Sequence, residues 1–150
     1  GWGKPVKPGR AQGLAFSDTW SSFIALVAEV SVENGRPAVH HLWAAVDCGH
    51  AISPANIKAQ IEGAAIFGLS AALGERLVYK GGQVQQQNLH MYPLLRANLA
   101  PVVEVKLTPT DNPPGGIGEV GLPPVAPAVA NAVAKLTGKR LRNLPFPQTI

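Results

Sequence analysis

The sequence predicts an α+β domain: a mixed, mainly antiparallel sheet with two principal helices packed on it. Three observations carry that reading. Asn34-Gly35 sits between two runs rich in β-branched residues, the strongest short-range hairpin signal, because both central residues can adopt positive φ. Ile57, Ile61, Ala65, Leu69 and Leu73 recur every fourth residue and line one face of a helix. Val125, Val129, Val133 and Leu136 trace a second such face near the C-terminus.

Taken in order, residues 1–12 are rich in Pro, Gly and Lys and read as an arm or linker. Residues 13–145 are expected to form a single domain, and 146–150 a tail carrying Pro147. Leu14, Phe16 and the run 23–32 read as strands buried on both faces or packed under helices. The chain returns as a strand over 38–47. Ser53-Pro54 then supplies a helix N-cap followed by proline at the first helical position. The helix runs over 54–73 and ends at Gly74, placed as a C-terminal glycine cap. Its other face, Gln60, Gly63, Ala64, Phe67 and Ala71, is small enough for a neighbouring element or ligand to approach closely.

A more polar hairpin, 77–79 and 84–86 around Lys80-Gly81-Gly82, is expected at an edge. Val103, Val105 and Leu107 alternate with Glu104 and Lys106, the pattern of a half-exposed strand. The last helix, 125–137, is closed by Gly138, with Lys135, Lys139 and Arg140 near the negative end of its dipole.

Composition narrows the function classes. At 46% hydrophobic and 15% charged, a chain of 150 residues carries more apolar side chains than its own surface needs, so a partner or further chain is expected to cover part of it. The net charge of +4 comes from basic residues clustered at both ends. They are not interleaved with aromatics, so a solvated or partner-facing surface explains them better than a nucleic-acid groove. Cys48 stands alone, which excludes an internal disulfide, a CxxC redox pair and an all-cysteine iron–sulfur site. No apolar run reaches the ~18 residues of a membrane span.

One stretch is specialised for position. Residues 113–124, Pro-Pro-Gly-Gly-Ile-Gly-Glu-Val-Gly-Leu-Pro-Pro, hold one carboxylate, Glu119, among four glycines and four prolines. Proline stiffens the chain and glycine lets another group approach the backbone. Such a carboxylate can act as a general base where burial raises its pKa and a substrate proton lies within reach. The same stretch contains G-x-G-x-x-G over 116–121, but Pro123, Pro124 and Pro127 delay the helix that a dinucleotide fingerprint requires, and the region where the ribose-binding acid belongs is basic. Asp47-Cys48-Gly49-His50 lacks further zinc ligands at the needed spacing, and no metal ligand is assigned. His40 and His41, adjacent on a strand, are expected to face opposite sides as fillers. Gln60 fits an exposed helix position as well as a ligand contact, while Tyr92 and Arg96 are expected to satisfy their loop.

Together these segments resemble a known family. Asp47-Cys48-Gly49-His50, Ile52-Ser53-Pro54, 60–64 (Gln-Ile-Glu-Gly-Ala), 67–73 (Phe-Gly-Leu-Ser-Ala-Ala-Leu), Asn88, Tyr92-Pro93, Arg96 and 113–119 stand in order over most of residues 2–145. They resemble the C-terminal part of the molybdopterin-binding catalytic subunit of the xanthine dehydrogenase and aldehyde oxidase family, nearest its isoquinoline 1-oxidoreductase β-subunit branch. The resemblance implies that Glu119 is the general base beside molybdenum, deprotonating the oxygen nucleophile that attacks an aldehyde or N-heterocycle. It implies that Gln60 holds a molybdopterin cytosine dinucleotide and that Gly118 lies against it. The implied partners are the remainder of the catalytic chain and a subunit with two [2Fe-2S] clusters, without which this chain is expected to be inactive. A non-catalytic assembly module or relic keeping the fold is the alternative, and a nucleotide-binding domain a weaker one.

Overall fold

The computed structural model describes residues 1–108 and 110–150. Its elements follow as β1 (Arg10–Thr19), β2 (Ser22–Glu33), β3 (Arg36–Asp47), α1 (Pro54–Leu73), β4 (Tyr79–Lys80), β5 (Gln83–Val84), β6 (Val102–Leu107) and α2 (Val125–Thr137). The main sheet has the order β1-β2-β3-β6. The first three strands are antiparallel and β6 runs parallel to β3, His41 opposite Val102 through Val46 opposite Leu107. A parallel neighbour cannot be reached by a tight turn, and α1 lies within the crossover that returns the chain. The architecture is the expected α+β, mixed and mainly antiparallel, and no helix among the described residues is long and apolar enough to cross a membrane.

Strand β2 runs through the middle of the core, with alternate residues facing the helices. Leu26, Ala28 and Val30, with Leu42 from β3, are fully buried against Ala65, Leu69 and Ala72 of α1 and Val129, Ala132 and Val133 of α2. Ile24, Val46, Ile57, Ile61 and Val120 form a second cluster toward the other end. Burying each large aliphatic side chain contributes roughly 1.5–3 kcal/mol. Helix α2 lies unusually close to β1 because Gly13 has no side chain: a Cβ there would be 2.2 Å from the Ala128 carbonyl oxygen.

The hairpin at Asn34-Gly35 forms with φ of 51° and 76°, as its sequence predicts. The β1–β2 hairpin has the same positive-φ geometry, 56° and 60°, but at Trp20 and Ser21. Neither residue type signals such a turn. Strict alternation breaks in β3, where Glu29 pairs with His41 and Val30 with Val39, leaving His40 outside the register. His40 Nε2 lies 2.8 Å from Ser31 Oγ, and His41 stacks on Trp43. The expected division of the two histidines between opposite faces therefore lacks the regular pleat on which it rested.

Helix ends match the expected positions with different chemistry. Ser53 occupies the N-cap of α1 without a side-chain cap bond, and Gly74 closes α1 at φ −159°, outside the left-handed region. Gly138 closes α2 at φ 75°, the left-handed cap expected of it. Segments read as peripheral are tied in. The buried Gln12 amide donates to the Gly1 carbonyl at 2.8 Å. Phe146 is buried in the main core, and its N–H donates to the Ala72 carbonyl at 2.7 Å.

Candidate functional site

Residues 110–124 are sewn to the sheet before they reach Glu119. The Asp47 carboxylate accepts from Thr110 Oγ1 at 2.8 Å and from the Gly49 N–H at 2.9 Å. The His50 N–H donates to the Asn112 carbonyl and the Gly115 N–H to the Cys48 carbonyl, each at 2.9 Å. The β1–β2 turn completes the attachment. The Gly116 N–H donates to the Trp20 carbonyl at 2.8 Å, and Ser22 Oγ donates to the Gly116 carbonyl at 2.6 Å.

Beyond Gly116 the chain alternates between anchoring and presenting. Ile117 packs on the second core cluster and Val120 is fully buried within it, so Gly118 and Glu119 are left on the outside. The Leu122 N–H then donates to the Glu119 carbonyl at 3.1 Å, turning the chain toward α2. The glycines of the loop serve different neighbours. A Cβ at Gly115 would be 2.4 Å from Ser22 Oγ, at Gly116 2.7 Å from Trp20 Cβ, and at Gly121 2.9 Å from Ala64 Cβ. These three are bare so that protein can pack. At Gly118 a Cβ would meet nothing within 4 Å, so its bare backbone faces open space.

That space is a cleft of about 460 Å³ between α1 and the loop. Gln60, Gly63, Ala64 and Phe67 line it from α1, and Gly118, Glu119, Leu122 and Pro123 from the loop. Gln60, Gly118 and Glu119, the three residues to which the resemblance gave a role, meet here. Among the described residues nothing hydrogen-bonds the Gln60 amide, and Glu119 is exposed, so both polar groups are available to a ligand. The size suits a ligand of drug-like dimensions, and the walls are mainly apolar and small. Leu122 and Pro123 carry no chemical signal that marks them as lining residues. The G-x-G-x-x-G pattern does not open a helix: α2 begins at Val125, capped by Pro124.

The remaining candidates lie elsewhere. Cys48 is buried, and desolvation followed by the Asp47 charge pushes its thiol pKa up, keeping it protonated. No group of three or more His, Cys, Asp or Glu among the described residues could hold a metal. The Tyr92 hydroxyl donates to Glu75 Oε2 at 2.8 Å, a bond that raises the phenol pKa. Neither Tyr92 nor Arg96 lines the cleft.

The fold and the cleft define a class, an α+β domain that presents one carboxylate and bare backbone to an open cleft of ligand size. Comparison with known proteins gives the family. The chain belongs to the molybdopterin cofactor-binding domain family, whose model matches residues 2–101. It is 42% identical to the isoquinoline 1-oxidoreductase subunit beta of Brevundimonas diminuta over 92% of this chain and 18% of the relative. That span is too long to leave out residues 113–124. It is 36% identical to a membrane-bound aldehyde dehydrogenase of Gluconacetobacter polyoxogenes, described with pyrroloquinoline quinone, over 96% of this chain and 20% of the relative. Among solved structures, the Cu,Mo-CO dehydrogenase in its carbon monoxide reduced state superposes with a TM-score of 0.70 at 26% identity, covering 78% of this chain and 16% of that one. The chain thus spans about a fifth of the length of these curated relatives.

Proposed function

We propose that this chain acts as one domain of a molybdenum-dependent hydroxylase, supplying the general base and one wall of the cofactor site. The observation that carries this reading is the convergence of Gln60, Gly118 and Glu119 on a single cleft. The cleft fits a bulky planar cofactor: the Gln60 amide is unpaired among the described residues, and Gly118 offers backbone with no Cβ in the way. The group we assign is a molybdopterin cytosine dinucleotide. When bound, it would supply the two-electron acceptor and activate water as the oxygen source.

The chain's own residues then divide the work. The Gln60 amide would hold the group by hydrogen bonding, and the bare backbone at Gly118 would let it approach the loop. Glu119 takes the proton from the oxygen nucleophile, and its carboxylate is presented by a backbone fixed on both sides of it. Phe67, Leu122 and Pro123 give the cleft apolar walls that exclude water once it is covered. Aldehydes or N-heterocycles are the substrate class. The remainder of the catalytic chain and a subunit with two [2Fe-2S] clusters complete the site and carry electrons away, since Cys48 alone cannot ligate such a cluster.

The test is metal analysis of the full polypeptide that contains this chain, co-produced with its companion subunits. Molybdenum retained in both parent and Glu119→Gln, with quinoline or aldehyde oxidation lost only in the variant, is the expected result. Absence of molybdenum under every co-production would favour a non-catalytic module, and uptake of pyrroloquinoline quinone in its place would overturn the cofactor assignment.

A further inference from the structure

The loop that carries the carboxylate of the cleft is tied to a turn nearly a hundred residues earlier in the chain. Ser22 is fully buried at the start of β2, and its hydroxyl donates to the Gly116 carbonyl at 2.6 Å. The other side of the same glycine is also taken, its N–H donating to the Trp20 carbonyl at 2.8 Å. A residue whose N–H and C=O are both tied to one turn cannot rotate without breaking one of these bonds. Burying a hydroxyl costs free energy unless it is hydrogen-bonded. The Gly116 carbonyl satisfies Ser22, and a serine in this place is therefore matched to the loop it faces.

The turn is itself constrained. Trp20 and Ser21 both have positive φ, 56° and 60°, a conformation that costs on the order of 1 kcal/mol or more for a non-glycine residue and persists where surrounding contacts impose it. The loop presses against it so closely that a Cβ at Gly116 would be 2.7 Å from Trp20 Cβ. On the far side of Glu119 the neighbouring Val120 is fully buried among Ile24, Ile57 and Ile61. Only Ile117, Gly118 and Glu119 lie between these two fixed points. Glu119 is therefore three residues from one tie and adjacent to the other.

We propose that Ser22, through its bond to Gly116, is a positioning residue for Glu119. The inference rests on the proposed function for its consequence in turnover, but its structural half stands on the hydrogen bonds alone. Ser22 touches no part of the cleft, and its effect passes through the backbone of residues 116–119. Ser22→Ala removes the hydroxyl while keeping the residue small enough for its buried position.

The test compares Ser22→Ala with Thr19→Val in the full polypeptide that contains this chain, assembled with its companion subunits. Thr19→Val removes the 3.0 Å contact between Ser17 Oγ and Thr19 Oγ1 in the same hairpin without touching the loop. Hydrogen exchange over residues 113–119 is expected to accelerate about tenfold in Ser22→Ala and to stay at the parental rate in Thr19→Val. In turnover, Ser22→Ala is expected to lower kcat on the order of ten- to a hundredfold with KM and molybdenum content unchanged, as a misplaced base would. Unchanged exchange in Ser22→Ala, or an equal effect of Thr19→Val, would overturn the proposal. If Glu119→Gln retained full turnover, the general-base reading would fall, while the exchange comparison would still decide whether Ser22 holds the loop.

Discussion

Helices α1 and α2 pack on the same face of the same sheet, yet their outer surfaces differ. Helix α2 sorts its residues cleanly, with Val125, Ala128, Val129, Ala132 and Val133 buried and Pro127, Asn131 and Lys135 outside. Helix α1 buries Ile57, Ile61, Ala65, Leu69 and Ala72 on one side but has Gly63, Ala64 and Phe67 on the other, with Phe67 68% exposed. An amphipathic helix is finished when its apolar face meets its own core. By that measure α2 is completed within this chain, whereas α1 turns a second, small and apolar face to the cleft that holds Glu119. The difference separates a helix whose apolar surface is used up in the core from one that keeps a second apolar face at the cleft.

The largest expected effect falls on the α1 side. Glu119→Gln removes the proposed base while keeping its size and is expected to lower turnover by ~10²–10⁴ with molybdenum content unchanged, measured by steady-state kinetics and metal analysis. On the α2 side, Gly13→Val is expected to destabilise the fold by about 3 kcal/mol in urea unfolding. The new side chain would meet the α2 backbone at the Ala128 carbonyl, and backbone cannot step aside as a flexible side chain can. A small loss of stability would mean that the close approach of α2 to β1 is unimportant, and the contrast between the helices would weaken.

Two smaller effects sharpen the comparison. Gly118→Ala meets nothing in the chain, so unfolding stability is expected to change by no more than ~0.5 kcal/mol. Cofactor retention after gel filtration is expected to fall, because the added methyl enters the cleft. Gly63→Ala is expected to stabilise α1 by up to ~1 kcal/mol, the ordinary gain at an exposed interior helix glycine with free space around it. If Gly63→Ala raised the melting temperature and left cofactor content intact, the outer face of α1 would not be a ligand surface.

Much of this arrangement is legible in the sequence because it depends on local rules. The i, i+4 spacing sets α1 and α2, Asn34-Gly35 sets a hairpin, and the glycine–proline run around Glu119 marks a loop whose backbone must be approached. The Trp20-Ser21 turn is not legible, since its positive φ values fall on residues that carry no turn signal and follow from the hairpin register, which sets Thr19 opposite Ser22. The bulge at His40 is hidden for the same reason, since a strand's residue pattern does not record an extra residue in its partner's register. Phe146 is missed as core because a short proline-flanked tail has no periodicity from which burial can be read.

By itself, then, the sequence determined the elements, the stiffness of residues 113–124 and, through resemblance, the chemistry expected of Glu119. Only the tertiary structure decided what each glycine in that loop is for. Gly115, Gly116 and Gly121 are bare because protein packs against them, and Gly118 alone is left open toward Gln60 and Phe67. The physical reason is distance. A residue's φ and periodicity respond to its immediate neighbours in the chain. The space beside a glycine is filled or left empty by segments that only folding brings near.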